Sequence, residues 1–344
     1  MTRLSGNKSE MSHFSRIARS AGKFAIQSYL GIPSRLVSLM QAAGLTVVAK
    51  QILGGMYDHY PYDCPLGERL ANLQYDDGEA NFPIGSMERS TFILKILART
   101  YPSQRLCNAY FENLHELLKN REPLGRPGRL VLGLGTGRCG STTLTGILSM
   151  VDGAKSTHEN PPLVFWEPLQ RQLQFHVARF RVMSRYFPLV FDCSHWWLNA
   201  LDPLFDAFPD GRAIGLYRDT EACVRSFIEI TGNRNHWVPP HNHMWPHDRW
   251  DPAYPHYDVP ENAKVDRRQA LRDLITRYVV EYNCAMKELE TKLRGRFLLL
   301  RTEDLDSQSA RQLIADFVEV PIGSSRLHLN VKSIGRSDSA IYWF

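Results

Sequence analysis

Gly133-Leu-Gly-Thr-Gly-Arg-Cys-Gly-Ser-Thr-Thr143 sets four glycines around one cation, Arg138, and ends in three hydroxyls, Ser141, Thr142 and Thr143. Glycines let backbone N–H groups close round an anion, and a helix opening directly behind them adds its own N-terminus to the same site. Against the nucleotide pattern GxxxxGK[ST], Gly135 and Gly140 match while the lysine position holds Ser141. The positive charge is displaced to Arg138, three residues earlier, where it is placed to meet the oxygen bridging a leaving phosphate and a transferred group. A second cluster carries the same chemistry: Arg218 ends the apolar run Ala213-Ile-Gly-Leu-Tyr217, and Ser226 follows eight residues later on a helical stretch. A planar fork of guanidinium donors joined by a hydroxyl suits a second phosphate. Between the two clusters lie His158 and Glu159, either of which has the chemistry of a general base.

A sulfonate carries less negative charge than a terminal phosphoryl group, so one side-chain cation and backbone amides can support its transfer without a metal clamp. The residues agree with a known pattern. Arg138, Cys139, Gly140, Ser141 and Thr142 resemble, in order, the 5′-phosphosulfate loop of sulfotransferases that use 3′-phosphoadenosine 5′-phosphosulfate (PAPS), and Arg218 with Ser226 resembles that family's 3′-phosphate motif. Phe297-Leu-Leu-Leu-Arg-Thr-Glu-Asp-Leu305 is similar to a late strand and corner of the same family, and the corner's acidic residues are expected to cap the following helix. The resemblance spans about residues 129 to 330.

It implies PAPS as donor, no metal, and a phosphosulfate held by Arg138, Cys139, Gly140, Ser141, Thr142 and Thr143. Lys332 and Arg336 stand where the family carries a basic segment over the 3′-phosphate. Glutamate-using branches place the base at a similar distance beyond the loop, which favours Glu159, whereas small-molecule branches use histidine, which keeps His158 as the alternative. Because successive strand residues point to opposite faces, only one of the two is expected to face the donor. His195 is a further candidate base, but ahead of Trp196 and Trp197 it reads as packing. The acceptor class stays open among small alcohols, glycans, lipids and tyrosine. The rivals are a P-loop kinase, for which Asp192 would supply the metal-binding aspartate, and a catalytically silent nucleotide-binding module.

These residues require strands that end in loops on one edge of a sheet. Arg129 to Leu134 reads as a buried strand followed by a helix from about Thr142 to Met150, with further strands expected at Lys155 to His158, Leu189 to Asp192, Ala213 to Tyr217 and Phe297 to Arg301. Apolar residues from Leu271 to Leu293 recur at three and four, which predicts a long helix that Gly295 ends. Strand alternating with helix predicts a three-layer α/β domain of the P-loop type with a mainly parallel sheet. The Pro/Gly-rich stretch 121–128 reads as a linker between that domain, 129–344, and a helical region, 1–120, with helical spacing over Ser90 to Thr100 and Cys107 to Leu118.

Composition narrows the classes. With 43% hydrophobic and 22% charged residues the chain reads as globular. Its net charge of +5 suits an anionic ligand and is too sparse to argue for nucleic acid. The six cysteines show neither CxxC pairs nor a disulfide framework, so a reducing, cytoplasmic setting is expected. The longest apolar stretch, Leu36 to Ala49, falls short of the roughly 20 residues a spanning helix needs. Residues 231–257 crowd five histidines among tryptophans and tyrosines and read as a long loop over the site, suited to an acceptor; His241, His243 and His247 lack the helix and cysteine partner that would make them a zinc site.

Overall fold

In the computed structural model, the described residues are 72, 75–76, 78–98, 102–166, 170–231, 254–255, 257 and 267–320. Two helices come first, α1 (Met87–Leu97) and α2 (Gln104–Leu118). Ser86 and Ser103 cap them by accepting the N–H groups of Arg89 and Leu106, each satisfying a donor that the first turn cannot. There follow β1 (Arg129–Leu134), α3 (Ser141–Ser149), β2 (Lys155–His158), α4 (Gln170–Ser184), β3 (Leu189–Cys193), a 3-10 turn (His195–Asn199) and α5 (Leu201–Ala207). The chain continues through β4 (Arg212–Tyr217), α6 (Thr220–Thr231), α7 (Arg267–Lys292), β5 (Phe297–Arg301), a second 3-10 turn (Thr302–Asp304) and α8 (Gln308–Val318).

The five strands form one sheet in the order β2-β3-β1-β4-β5, with every pair parallel. Each strand therefore has two faces to bury, and two apolar clusters cover them. Leu130, Leu132 and Leu134 of β1 point to the cluster built with α1, α2, α4, α6 and α7, whereas Val131 points to the one built with α3 and α8. The expected three-layer α/β architecture with a parallel sheet is what the chain adopts. Tyr110 of α2 lies 5.0 Å from Phe175 of α4, ring to ring, so the two leading helices share the core of the sheet's first face.

Gly295, at φ 78°, takes the left-handed conformation that ends α7 and turns the chain into β5. At the corner after β5 the expectation of an acidic cap is corrected: Ser307 caps α8 by accepting the Ala310 N–H, while Glu303 and Asp304 form the preceding 3-10 turn. A serine hydroxyl at the N-cap position reaches that amide directly, which leaves the two carboxylates on the surface. Among the described residues no helix is long and apolar enough to cross a membrane.

Candidate functional site

The sheet order fixes where a ligand belongs. The chain runs from β1 outward to β2 and β3 on one side, then crosses to β4 on the other, so the strand ends of β1 and β4 flank the point where the connections diverge. In open α/β sheets that crevice, at the carboxyl ends of the strands, is where ligands sit. Leu134 pairs with Gly215, which brings the loop after β1 beside the junction after β4.

The loop's shape follows from its glycines and from one unusual arginine. Gly137 and Gly140 lie at φ 78° and 88°, and Arg138 between them at φ 56°. A Cβ on Gly140 would come within 2.8 Å of Thr302 Cγ2, so steric room and backbone conformation both demand glycine there. Gly140 is the N-cap of α3, and Ser141, Thr142 and Thr143 make its first turn, where helix N–H groups lack intrahelical partners and carry partial positive charge. Cys139 faces the other way. Its thiol is buried against Gly135, and burial, with Cys223 alongside, pushes it up to about 12, so it is neutral and packs the loop from beneath. Its carbonyl accepts the Thr302 hydroxyl.

Struts from elsewhere hold the loop. Tyr278 of α7 donates to the Thr136 carbonyl at 3.1 Å. Tyr282, one turn on, accepts the Gly135 N–H at 3.2 Å and donates to the His195 carbonyl at 2.8 Å. Tyr282 is 1% exposed, so Tyr282→Phe strands a buried N–H and a buried carbonyl while leaving the ring in place. It is expected to lower stability by about 1–3 kcal/mol, read as a shift in denaturant midpoint at constant slope.

The second cluster meets the first at Arg138. Asp219 caps α6, its carboxylate accepting the Ala222 N–H at 2.8 Å, and so aims the helix that carries Ser226. Arg138 Nε donates to Ser226 Oγ at 3.3 Å, and Arg218 Nη1 donates to the Arg138 carbonyl at 3.0 Å. Two sequence motifs 80 residues apart thus converge on one cation.

On the β2 side, both base candidates reach the loop. His158 Nε2 lies 2.9 Å from Ser141 Oγ. Glu159 leaves the strand at φ 49°, its N–H donating to the Cys193 carbonyl, so the alternation that would have turned the two side chains to opposite faces stops at His158. The Glu159 carboxylate is 40% exposed and stands 3.6 Å from His195 Nδ1. Burial alone would raise its pKa; the His195 contact and the charges of His158, His195 and Arg138 outweigh that and hold it at about 2.

His195, a further base candidate set aside as packing on sequence grounds, stands beside Glu159. It does pack, 5.1 Å from the Trp196 ring, but it also faces Glu159 because β2 and β3 end side by side, His158 opposite Cys193. Asp192 is not presented to the loop. It is fully buried and accepts hydrogen bonds from Thr157, Arg179 and Trp197 at 2.6, 3.1 and 2.9 Å, so its oxygens are committed to the core. Lys332, Arg336 and the histidine-rich part of 231–257, apart from Tyr254 and Tyr257, lie outside the described residues. Among the described residues no cluster of three metal-ligating side chains occurs.

No protein-family model and no curated protein matches the chain. Among solved structures it is similar to a sulfotransferase from Alicyclobacillus acidocaldarius, at 14% identity and a TM-score of 0.37, covering 61% of this chain and 89% of that one.

Proposed function

We propose that the chain transfers a sulfonate group from PAPS to an acceptor hydroxyl. The observation that carries the reading is the convergence at Arg138, the residue suited to a phosphosulfate, where Ser226 meets the guanidinium and Arg218 meets the backbone carbonyl, the pair suited to a 3′-phosphate. The amides of Gly140, Ser141, Thr142 and Thr143 would hold the 5′-phosphosulfate at the N-terminus of α3. Arg138 would neutralise charge on the bridging oxygen as the sulfur–oxygen bond breaks. Glu159 stands in its proton-accepting form at neutral pH and serves as the base, with His158 steering the Ser141 hydroxyl. The loop cation is arginine rather than the lysine of an NTPase, and Asp192 is committed to the core, so what supports a kinase is weaker.

Calorimetric titration with 3′-phosphoadenosine 5′-phosphate (PAP), beside ATP with Mg²⁺, tests the donor assignment. Metal-independent PAP binding is expected, and Arg218→Ala is expected to weaken it by about 10- to 150-fold, the equivalent of about 1.5–3 kcal/mol for a charge-assisted contact. Preference for ATP with Mg²⁺ would sink the reading.

A further inference from the structure

His195 is a buried imidazole with no evident structural need for its polar edge. Its ring is 4% exposed, and neither ring nitrogen makes a hydrogen bond. Buried polar atoms are ordinarily paired, because leaving them so costs desolvation energy. The ring lies flat on Tyr254, centroids 4.1 Å apart and planes at 16°, which fixes its plane. Its carbonyl is held by Tyr282, the same residue that accepts the Gly135 N–H of the phosphate loop, so the imidazole and the loop share one support. Nδ1 is aimed at Glu159 Oε1, 3.6 Å away.

We propose that Glu159 and His195 form a two-member proton relay, in which Glu159 receives the acceptor's proton and passes it to His195 Nδ1. This rests on the sulfonate-transfer reading and adds to it the destination of the proton. The acceptor oxygen forms its bond to sulfur as the bond from sulfur to the 5′-phosphate oxygen breaks, with that electron pair leaving on PAP. The acceptor's proton moves to Glu159 and then to a His195 ring that starts neutral and ends as imidazolium. A carboxylate held low by its neighbours keeps a proton poorly, and the unpaired Nδ1 3.6 Å away is placed to take it on.

Among the described residues the groups facing the pair come from the loop, β2, β3, α7 and Tyr254. Arg138 from the loop and His158 from β2 act on Glu159, and Cys193 of β3 lies near it. Tyr254 covers the His195 ring, with Tyr278 of α7 5.4 Å beyond it and Tyr282 on the His195 carbonyl. Asp192, three residues before His195, is paired with Arg179.

The test uses PAPS as donor with water as acceptor, following PAP release across pH in the parent chain, His195→Asn, His195→Gln, Glu159→Gln and the His195→Asn/Glu159→Gln double variant. A relay predicts that the parent's rate falls on the acid side, since protonated His195 cannot accept. Removing His195 is expected to cut the plateau rate by about 10²-fold and move that acid limb into the carboxylate range. The double variant should be no slower than the slower single one, because the two residues form one path. PAP affinity, read by calorimetry, should be unchanged in both His195 variants and reports that they fold. An acid limb that stays in place when His195 is removed, or rate losses that multiply in the double variant, would overturn the relay and leave the donor assignment standing. Failure of the parent chain to bind PAP would instead remove the donor assignment, and the relay with it.

Discussion

Arg179→Met is expected to destabilise the chain by about 3–5 kcal/mol, the usual cost of removing one partner from a buried ion pair. Arg179 and Asp192 are both fully buried, 3.1 Å apart, and Arg179 is the cation among the Asp192 hydrogen-bond partners Thr157, Arg179 and Trp197. With it gone, Thr157 and Trp197 still donate, but a carboxylate remains in an apolar interior with neutral partners. For a folding unit of this size the loss corresponds to a melting temperature lower by about 6–20 °C. Replacing both members, Asp192→Leu with Arg179→Met, is expected to recover most of that loss, since no uncompensated charge remains. A single variant that melts with the parent would show that the pair contributes nothing. The position matters for the site as well: Asp192 precedes Cys193, which pairs with His158, so this pair steadies the ends of β2 and β3 from which Glu159 and His195 emerge.

Four of the five strands were readable as short apolar runs bounded by glycine, proline or charge, whereas β2 is the polar run Lys-Ser-Thr-His. Lys155–His158 and Phe297–Arg301 fall where expected, and the others within a residue or two. The long helix was readable from its repeat of apolar residues, and it begins four residues before the first of them. Helix α4 was not anticipated, and the reason is physical: its buried face includes Gln172, His176 and Arg179, so the residues that pack it look polar. The loop and the Arg218-Ser226 junction were readable because their chemistry is written in contiguous residues. The nearness of Glu159 and His195 was not, for it depends on β2 pairing with β3 in one particular register. Nor did the sequence indicate that Arg138 and Glu159 would both leave the ordinary backbone regions, which places one as the hub of two motifs and turns the other out of its strand.

The largest effect on chemistry is expected at Arg138. If sulfonate transfer is the reaction, negative charge grows on the oxygen that joins sulfur to the 5′-phosphate, and a fixed cation aimed there acts mainly on the transition state. Arg138→Ala is expected to lower turnover by about 10²–10³-fold, measured as PAP released from PAPS, while PAP binding falls far less. The split follows from geometry, because the Arg138 carbonyl that accepts from Arg218 survives the substitution, while the Nε contact to Ser226 and the charge acting on Glu159 are lost. Arg138→Lys keeps a charge but loses the fork and its Nε contact to Ser226, so an intermediate rate is expected. Backbone strain is not a confounder between the variants: arginine, alanine and lysine all carry a Cβ and meet the φ of 56° alike. Turnover within a few-fold of the parent in Arg138→Ala would remove Arg138 from the chemistry and return the anion-binding role to the amides of α3 alone.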